Sequence, residues 1–405
     1  MGVGFCLTAF TLGGQIALGL GFWPTVAAVL IGGIILTVVG CLVGAIGVRS
    51  GLSSTVSSRF TFGTYGAIIF GIINALCNFG WFGYQCTFFG SSITSMFKLA
   101  AGIDVNLTAC IVIGGLLMMI TAIVGYKGIK TLSQFGVPLL FLLVIAGVIK
   151  TFTVVPAGEV FSAAPVVPIS FASAVSLMVG SFIVGVSIVQ DFTRYSKTVK
   201  DSSIGIVLGF TIGYPAVVIC GANFACAFQS NDLTNTLINV LGFGYIAAFI
   251  IVVATWTTND NNLYQSVLGL TNACHGIIKL PRWITTAICG IIATILGRHR
   301  YDRLAGSLPE HPQRGGSPIT GAMLADFYIL KNADSYKFEL MDKIPNVRPD
   351  TSIGAIAGCL VGFCMNEPPI GFGVPFMVQL STVIPTHWWQ WLAPWWWCSS
   401  STSSP

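Results

Sequence analysis

The chain is short of charge. Only 8% of its 405 residues are Asp, Glu, Lys or Arg, against roughly 25% in soluble domains, which excludes an ordinary water-facing surface. Histidine is scarce too, with four residues and no metal-ligand spacing among them. The 12 cysteines include no C-x-x-C pair and fall mostly inside apolar runs, so they read as small packed hydrophobes and indicate neither a disulfide framework nor a metal site. There is no H-E-x-x-H motif, and no nucleophile, base and orienting partner share one helix face. An enzyme is therefore not expected.

What fills the chain is hydrocarbon. Hydrophobic residues make up 54% of it and the mean hydropathy is +0.83. Crossing about 30 Å of lipid takes roughly 20 apolar residues, and such runs recur along nearly the whole length. The approximate spans are residues 2–20, 23–48, 67–96, 108–125, 135–155, 172–189, 204–227, 238–270, 283–297, 319–330, 353–364 and 370–384. Long continuous runs favour helices over barrel strands. The expected fold is an all-α integral membrane protein of about twelve transmembrane helices.

Lys and Arg set the expected orientation. Arg49 and Arg59, Lys127 and Lys130, Arg194, Lys197 and Lys200, Lys279 and Arg282, then Lys331, Lys337, Lys343 and Arg348 fall in alternate loops, with Lys98 and Lys150 beside the opposite set. The positive-inside rule makes the first set cytoplasmic, together with both termini, and a plasma (inner) membrane location is expected. Residues 298–318 break the pattern by adding four cations to an external loop; they form an ordinary polar loop or are not native translation. The Trp-rich tail, 387–405, is equally atypical and reads as an interfacial belt or as non-native sequence. The first run begins at Met1 with no charged flank or cleavage pattern, so a signal peptide is not expected; either the helix starts abruptly or a cytoplasmic N-terminal segment has been lost, and the loss is the favoured expectation.

One polar patch stands out within this background. Thr255-Trp256-Thr257-Thr258-Asn259-Asp260-Asn261-Asn262 follows an apolar run, and Asp260 is the only formal charge between Asp232 and His275. Polar groups at membrane depth usually face a bundle interior and belong to a substrate or ion path. Thr258 with Asn262, Thr257 with Asn261 and Thr255 with Thr258 share helix faces at spacings of three and four, which makes an oxygen stripe suited to a small alkali cation. The glycines of the first span (Gly2, Gly4, Gly13, Gly14, Gly19 and the adjoining Gly21) permit either close packing or a helix break that would free further carbonyls. A similar Gly-Ser-aromatic interruption runs from Met178 to Gly185.

In the third span Asn74, Asn78, Trp81 and Gln85 fall on one face. An indole with amides can stack a flat heterocycle and read its edge, or the amides can simply join helices. Asp191 and Arg194 read as a gate or as an interfacial ion pair. Asp260 is expected to pair with backbone or Tyr264, or to relay protons.

The runs at residues 51–63, Gly80-Trp-Phe-Gly83, Val179-Gly-Ser-Phe182, Gln190-Asp-Phe-Thr-Arg194 and Thr255-Trp-Thr-Thr-Asn-Asp-Asn261 resemble the cytosine permease branch of the nucleobase-cation-symport-1 family. The likeness covers most of residues 1–281 and resumes at Gly321-Ala-Met-Leu-Ala-Asp-Phe-Tyr328, while 298–318 does not match. It implies LeuT-type inverted five-helix repeats, roughly 1–155 and 172–330, with discontinuous helices 1 and 6, then two accessory helices within 351–386. It implies sodium ligands at the backbone of Gly2, Phe5 and Ala254 and the hydroxyls of Thr257 and Thr258. For a nucleobase it implies Trp81 and Phe182 as stacking rings, with Asn78, Gln85, Ser181 and Asn259 at the ring edge. Compared with cytosine permeases, Asn78, Val184 and Ala254 replace Gln, Ser and Asn, while Gln85 matches hydantoin-type relatives. The expected function is symport of a nucleobase-like heterocycle with sodium or protons, with no cofactor other than the coupling ion. No nucleic acid and no obligatory protein partner are expected beside the lipid bilayer. The alternatives are an uncoupled facilitator or channel and a truncated, non-functional permease product.

Overall fold

A computed structural model describes residues 7–124, 126–274, 281–304, 316–330 and 335–364, together with Pro394. Among the described residues every regular element is a helix. The first half contains α1 (Leu7–Leu20), α2 (Phe22–Ser50), α3 (Ser54–Ala101), α4 (Leu107–Val124) and α5 (Tyr126–Val154). A short α6 (Ala157–Phe161) leads to α7 (Phe171–Ser187), α8 (Gln190–Thr193), α9 (Val199–Val207) and α10 (Tyr214–Phe228). After α11 (Leu233–Asn235) come α12 (Gly244–Ala273), α13 (Arg282–Leu304), α14 (Gly316–Ala325) and α15 (Pro349–Cys364). Wider π turns continue the helices at Leu208–Gly213, Thr236–Val240 and Asp326–Leu330.

Six described helices are long and apolar enough to cross a membrane: Phe22–Ser50, Ser54–Ala101, Leu107–Val124, Gln134–Val154, Phe171–Thr193 and Val199–Phe228. Shorter apolar helices cover Thr8–Leu20, Arg282–Ile295, Pro318–Leu330 and Pro349–Val361. α12 is long enough to span as well, and its polar cluster is what lowers its hydropathy. The expected last span, 370–384, and the tail, Pro394 apart, lie outside the described residues. Residues 298–304, expected to open a loop, instead continue α13, because that stretch contains no Gly or Pro to stop a helix.

Helix ends follow their local chemistry. Ser53 caps α3 by accepting from the Val56 amide, and Ser170 caps α7 through the Ser173 amide at 3.1 Å. Gly51 and Gly102 close α2 and α3 in the left-handed conformation. With lipid outside, helices associate through close backbone contact and shape complementarity. α3 meets α12 at facing glycines: a Cβ on Gly71 would lie 2.5 Å from the Gly269 carbonyl oxygen, and one on Gly269 equally close to that of Gly71. α1 is a continuous helix over its described length, and its Gly13 faces the Val218 carbonyl of α10. That is the packing role of the glycine-rich first span; the segment before Leu7 lies outside the described residues.

The break in the α7 region falls later than the Gly-Ser-aromatic motif suggested. α7 stays helical through residues 178–185 and ends at Ser187, and Ile188 and Val189 turn the chain into α8. Gly185 is tolerated inside the helix because the Phe182 ring fills the space beside it.

α3 is kinked at Gly63, whose φ of 82° only glycine adopts cheaply. The kink accepts a strap from the segment before α15. Thr64 and Tyr65 donate their amides to the carbonyls of Pro345 and Asn346, and the Arg348 amide donates to Phe62. Beneath the strap the Arg348 guanidinium donates to Asp326 at 2.6 Å, to the Phe60 carbonyl at 2.8 Å and to Asp350 at 2.5 Å. Tyr336 donates to the second Asp326 oxygen. Burial, reinforced by Asp326, holds the Tyr336 hydroxyl well above the usual tyrosine range, so it remains a donor.

Candidate functional site

Between the helices lies a cavity of about 70 Å³, several times the roughly 10–15 Å³ that admits one water. Its walls come from distant parts of the chain. α1 supplies Thr8 and Leu12, α3 supplies Asn78, Trp81 and Gln85, and the α7 region supplies Ser181, Phe182, Val184, Gly185 and Ile188. Phe192 of α8, Tyr214 of α10, and Thr258, Asn261, Asn262 and Gln265 of α12 complete it.

Five of the residues expected at a substrate therefore share one cavity: Asn78, Trp81, Gln85, Ser181 and Phe182. Phe182 is backed by Phe210 and Tyr214, with ring centroids 5.0 Å and 4.9 Å away, so its ring is held firmly. Trp81 packs edge-on against Tyr84 at 6.0 Å. Asn78 donates to the Asn74 backbone oxygen at 2.8 Å and to its side-chain oxygen at 2.9 Å, which leaves its own carbonyl oxygen as the group it can offer. The Ser181 hydroxyl lies 2.6 Å from the Tyr214 hydroxyl and 2.7 Å from the Met178 carbonyl. Gln85 is buried, and its side-chain oxygen has no partner among the described residues.

Asn259 does not join them. Its amide donates to the Phe82 carbonyl at 3.0 Å and approaches the Met118 sulfur at 3.1 Å and the Cys86 sulfur at 3.4 Å, so it serves the α3–α4 side. The reason is angular: Thr258, Asn261, Asn262 and Gln265 follow a three-four-seven spacing on one face, and Asn259 lies about 100° round the helix from Thr258.

The polar cluster thus has two faces. On its second face Trp256 donates to Thr121 at 2.8 Å, and Thr121 donates to Asp260 at 2.7 Å. Asp260 pairs with this α4 hydroxyl instead of with backbone or Tyr264, and the chain of bonds ties α12 to α4. The Asp191–Arg194 expectation also changes. Asp191 accepts from the Ser54 amide at 2.7 Å and the Ser54 hydroxyl at 2.8 Å, closing the N-terminus of α3, while Arg194 donates to Tyr195.

Of the expected ion ligands, Gly2 and Phe5 lie outside the described residues. The others converge. The hydroxyls of Thr257 and Thr258 both donate to the Ala254 carbonyl, at 2.8 Å and 3.1 Å, which brings three hard oxygens together on one turn of α12. Thr258 lines the cavity, and Thr257 faces Gly136 of α5. Neutral oxygens of this type suit an alkali cation.

Residues 1–343 match the family model described as permeases for cytosine/purines, uracil, thiamine and allantoin. The chain belongs to this permease family. It is accordingly a multi-pass membrane transporter and not an enzyme. The cytosine permease of Escherichia coli K12 is 29% identical over 330 residues, covering 81% of this chain and 75% of that protein. A hydantoin permease of Microbacterium maritypicum is 24% identical over 358 residues, covering 80% and 70%. The permease also superposes on Mhp1, a nucleobase-cation-symport-1 family transporter solved in a closed conformation with bromovinylhydantoin bound. That match has a TM-score of 0.77 at 18% identity and covers 98% of this chain and 91% of Mhp1. Its fold is the LeuT-type all-helical transporter fold.

Among the polar cavity residues, Thr8, Tyr214 and Gln265 escaped the sequence reading. Gln265 lies seven residues after Thr258 and four after Asn261, so extending the α12 stripe by one turn would have reached it. Tyr214 carries no such signal, because α10 is apolar around it.

Proposed function

We propose that this permease imports a nucleobase or related heterocycle by symport with sodium, through alternating access. The observation that carries the reading is the joining of two aromatic rings and several amides in one cavity that Thr258 also lines, its hydroxyl sharing the Ala254 carbonyl with that of Thr257. Trp81 and Phe182 stack the ring, Asn78, Gln85 and Ser181 read its edge, and sodium binds the α12 oxygens. Backbone groups at Gly2 and Phe5 complete the ion's shell in this reading. Because Thr258 belongs to both the ion cluster and the cavity wall, ion occupancy can bias the state that accepts substrate.

The cytosine and hydantoin permeases above support a flat ring with amide or amidine edges as the substrate class. The name of the Mhp1 family supports a coupling cation. The working unit is residues 1–330, with 351–386 accessory to it, in the plasma membrane with both termini cytoplasmic.

Uptake of labelled cytosine and hydantoin into proteoliposomes tests this. An inward sodium gradient should drive accumulation above the external concentration, and collapsing the gradient should abolish it. An uncoupled facilitator would only equilibrate, and that result would overturn the coupling.

A further inference from the structure

Gln265 is the one cavity amide whose situation the reading above leaves unexplained. It is 2% exposed, it lines the cavity, and neither its side-chain nitrogen nor its side-chain oxygen has a partner among the described residues. Of the other cavity amides, Asn78 bonds with Asn74, Asn261 with the Thr257 carbonyl at 3.3 Å and Asn262 with Asn259 at 3.2 Å, while Gln85 has its side-chain oxygen unmet and is already assigned to the substrate edge. Gln190 is also buried with both polar atoms unmet, but it does not line the cavity. A buried carboxamide with an unmet donor and an unmet acceptor is costly unless a ligand meets both.

The mounting is rigid. The Gln265 backbone carbonyl accepts from Asn74 at 3.4 Å, one helical turn from the Gly71–Gly269 contact that locks α12 against α3. Thr258 and Asn261 lie on the same face of α12 and also line the cavity. A side chain carried on a helix held this closely keeps its geometry better than one on a loop.

We propose that Gln265 is a specificity-determining residue that makes a two-point contact with the substrate. Its oxygen accepts from a ring N–H, and its amino group donates to the adjacent ring carbonyl or imine nitrogen. The ligand class is therefore a planar ring presenting a donor and an acceptor on neighbouring positions, a lactam or amidine edge. This rests on the reading of the cavity as the substrate site. Blocking that edge with a methyl group would remove the ring donor and leave the Gln265 oxygen buried and unmet.

The test is equilibrium binding of uracil and hydantoin, each compared with its N1- and N3-methyl derivatives, to the full-length protein and to Gln265→Met and Gln265→Glu. Wild type should reject one methyl position by about 10- to 100-fold, the loss expected for an unmet buried polar contact. Gln265→Met, close in size but apolar, should reduce that ratio to within about threefold while leaving discrimination at the other position unchanged. Its retained affinity for the methylated ring shows that it has folded. Gln265→Glu keeps the acceptor and loses the donor, so it should keep part of the discrimination. If Gln265→Met weakens every ring by the same factor, or changes none, the proposal is overturned while the substrate site stands. If wild type binds none of the rings, the heterocycle reading falls with it.

Discussion

Replacing Thr258 with Val removes one of the three α12 oxygens while keeping the branched shape of the side chain. The hydroxyl lies 3.1 Å from the Ala254 carbonyl, within one turn of the Thr257 hydroxyl at 2.8 Å from the same oxygen. A hydrogen-bonding contact to a charged group contributes about 1.5–3 kcal/mol, so half-saturation by sodium should rise by about 10- to 150-fold. Reciprocity sets a second expectation. If sodium tightens substrate binding, losing ion affinity in the coupled state must reduce that tightening. The assay is fluorescence-detected binding of cytosine or hydantoin across a sodium titration, with Thr258→Ser as the oxygen-restoring control. Since a valine in the cavity wall can weaken substrate binding by itself, the sodium dependence is the readout. An unchanged sodium midpoint in Thr258→Val would refute the ion assignment.

Two further substitutions probe separate parts of the molecule. Trp81→Ala should raise the apparent substrate constant about 10- to 100-fold, by loss of stacking and apolar contact, with Trp81→Phe intermediate; equal constants in all three proteins would remove Trp81 from the site. Arg348→Leu leaves Asp326, fully buried, without its 2.6 Å partner, a change worth about 3–5 kcal/mol. The thermal midpoint in detergent should fall by about 5 °C, and an unchanged midpoint would show that the strap contributes nothing.

Much of the site was legible because helical spacing is a local property. Asn78, Trp81 and Gln85 had to share a face of α3, and Thr257 and Thr258 had to lie one turn beyond Ala254. What went unread depended on partners far away in sequence. Asn259 sits inside the same polar run as Thr258, yet its amide answers to Phe82 and Met118. Asp191 precedes Arg194 by three residues, but its carboxylate caps a helix 137 residues away. The strap on Gly63 joins residues nearly three hundred positions apart, and nothing in the local pattern of either segment announces it.

The sequence by itself determined that this protein lives in a membrane, since too little charge and too much hydrocarbon leave no other way to satisfy its surface. It also determined which polar residues lie at depth and how they are spaced around each helix. Only the tertiary structure decided where each face points. Periodicity fixes angles about a helix axis but not the rotation of that axis against its neighbours. The rotation of α12 is set by the contact of Gly71 with Gly269 and by the Thr121 bridge to Asp260 and Trp256. Those contacts turn Thr258, Asn261 and Gln265 inward to the cavity and commit Asn259 and Asp260 to holding the scaffold.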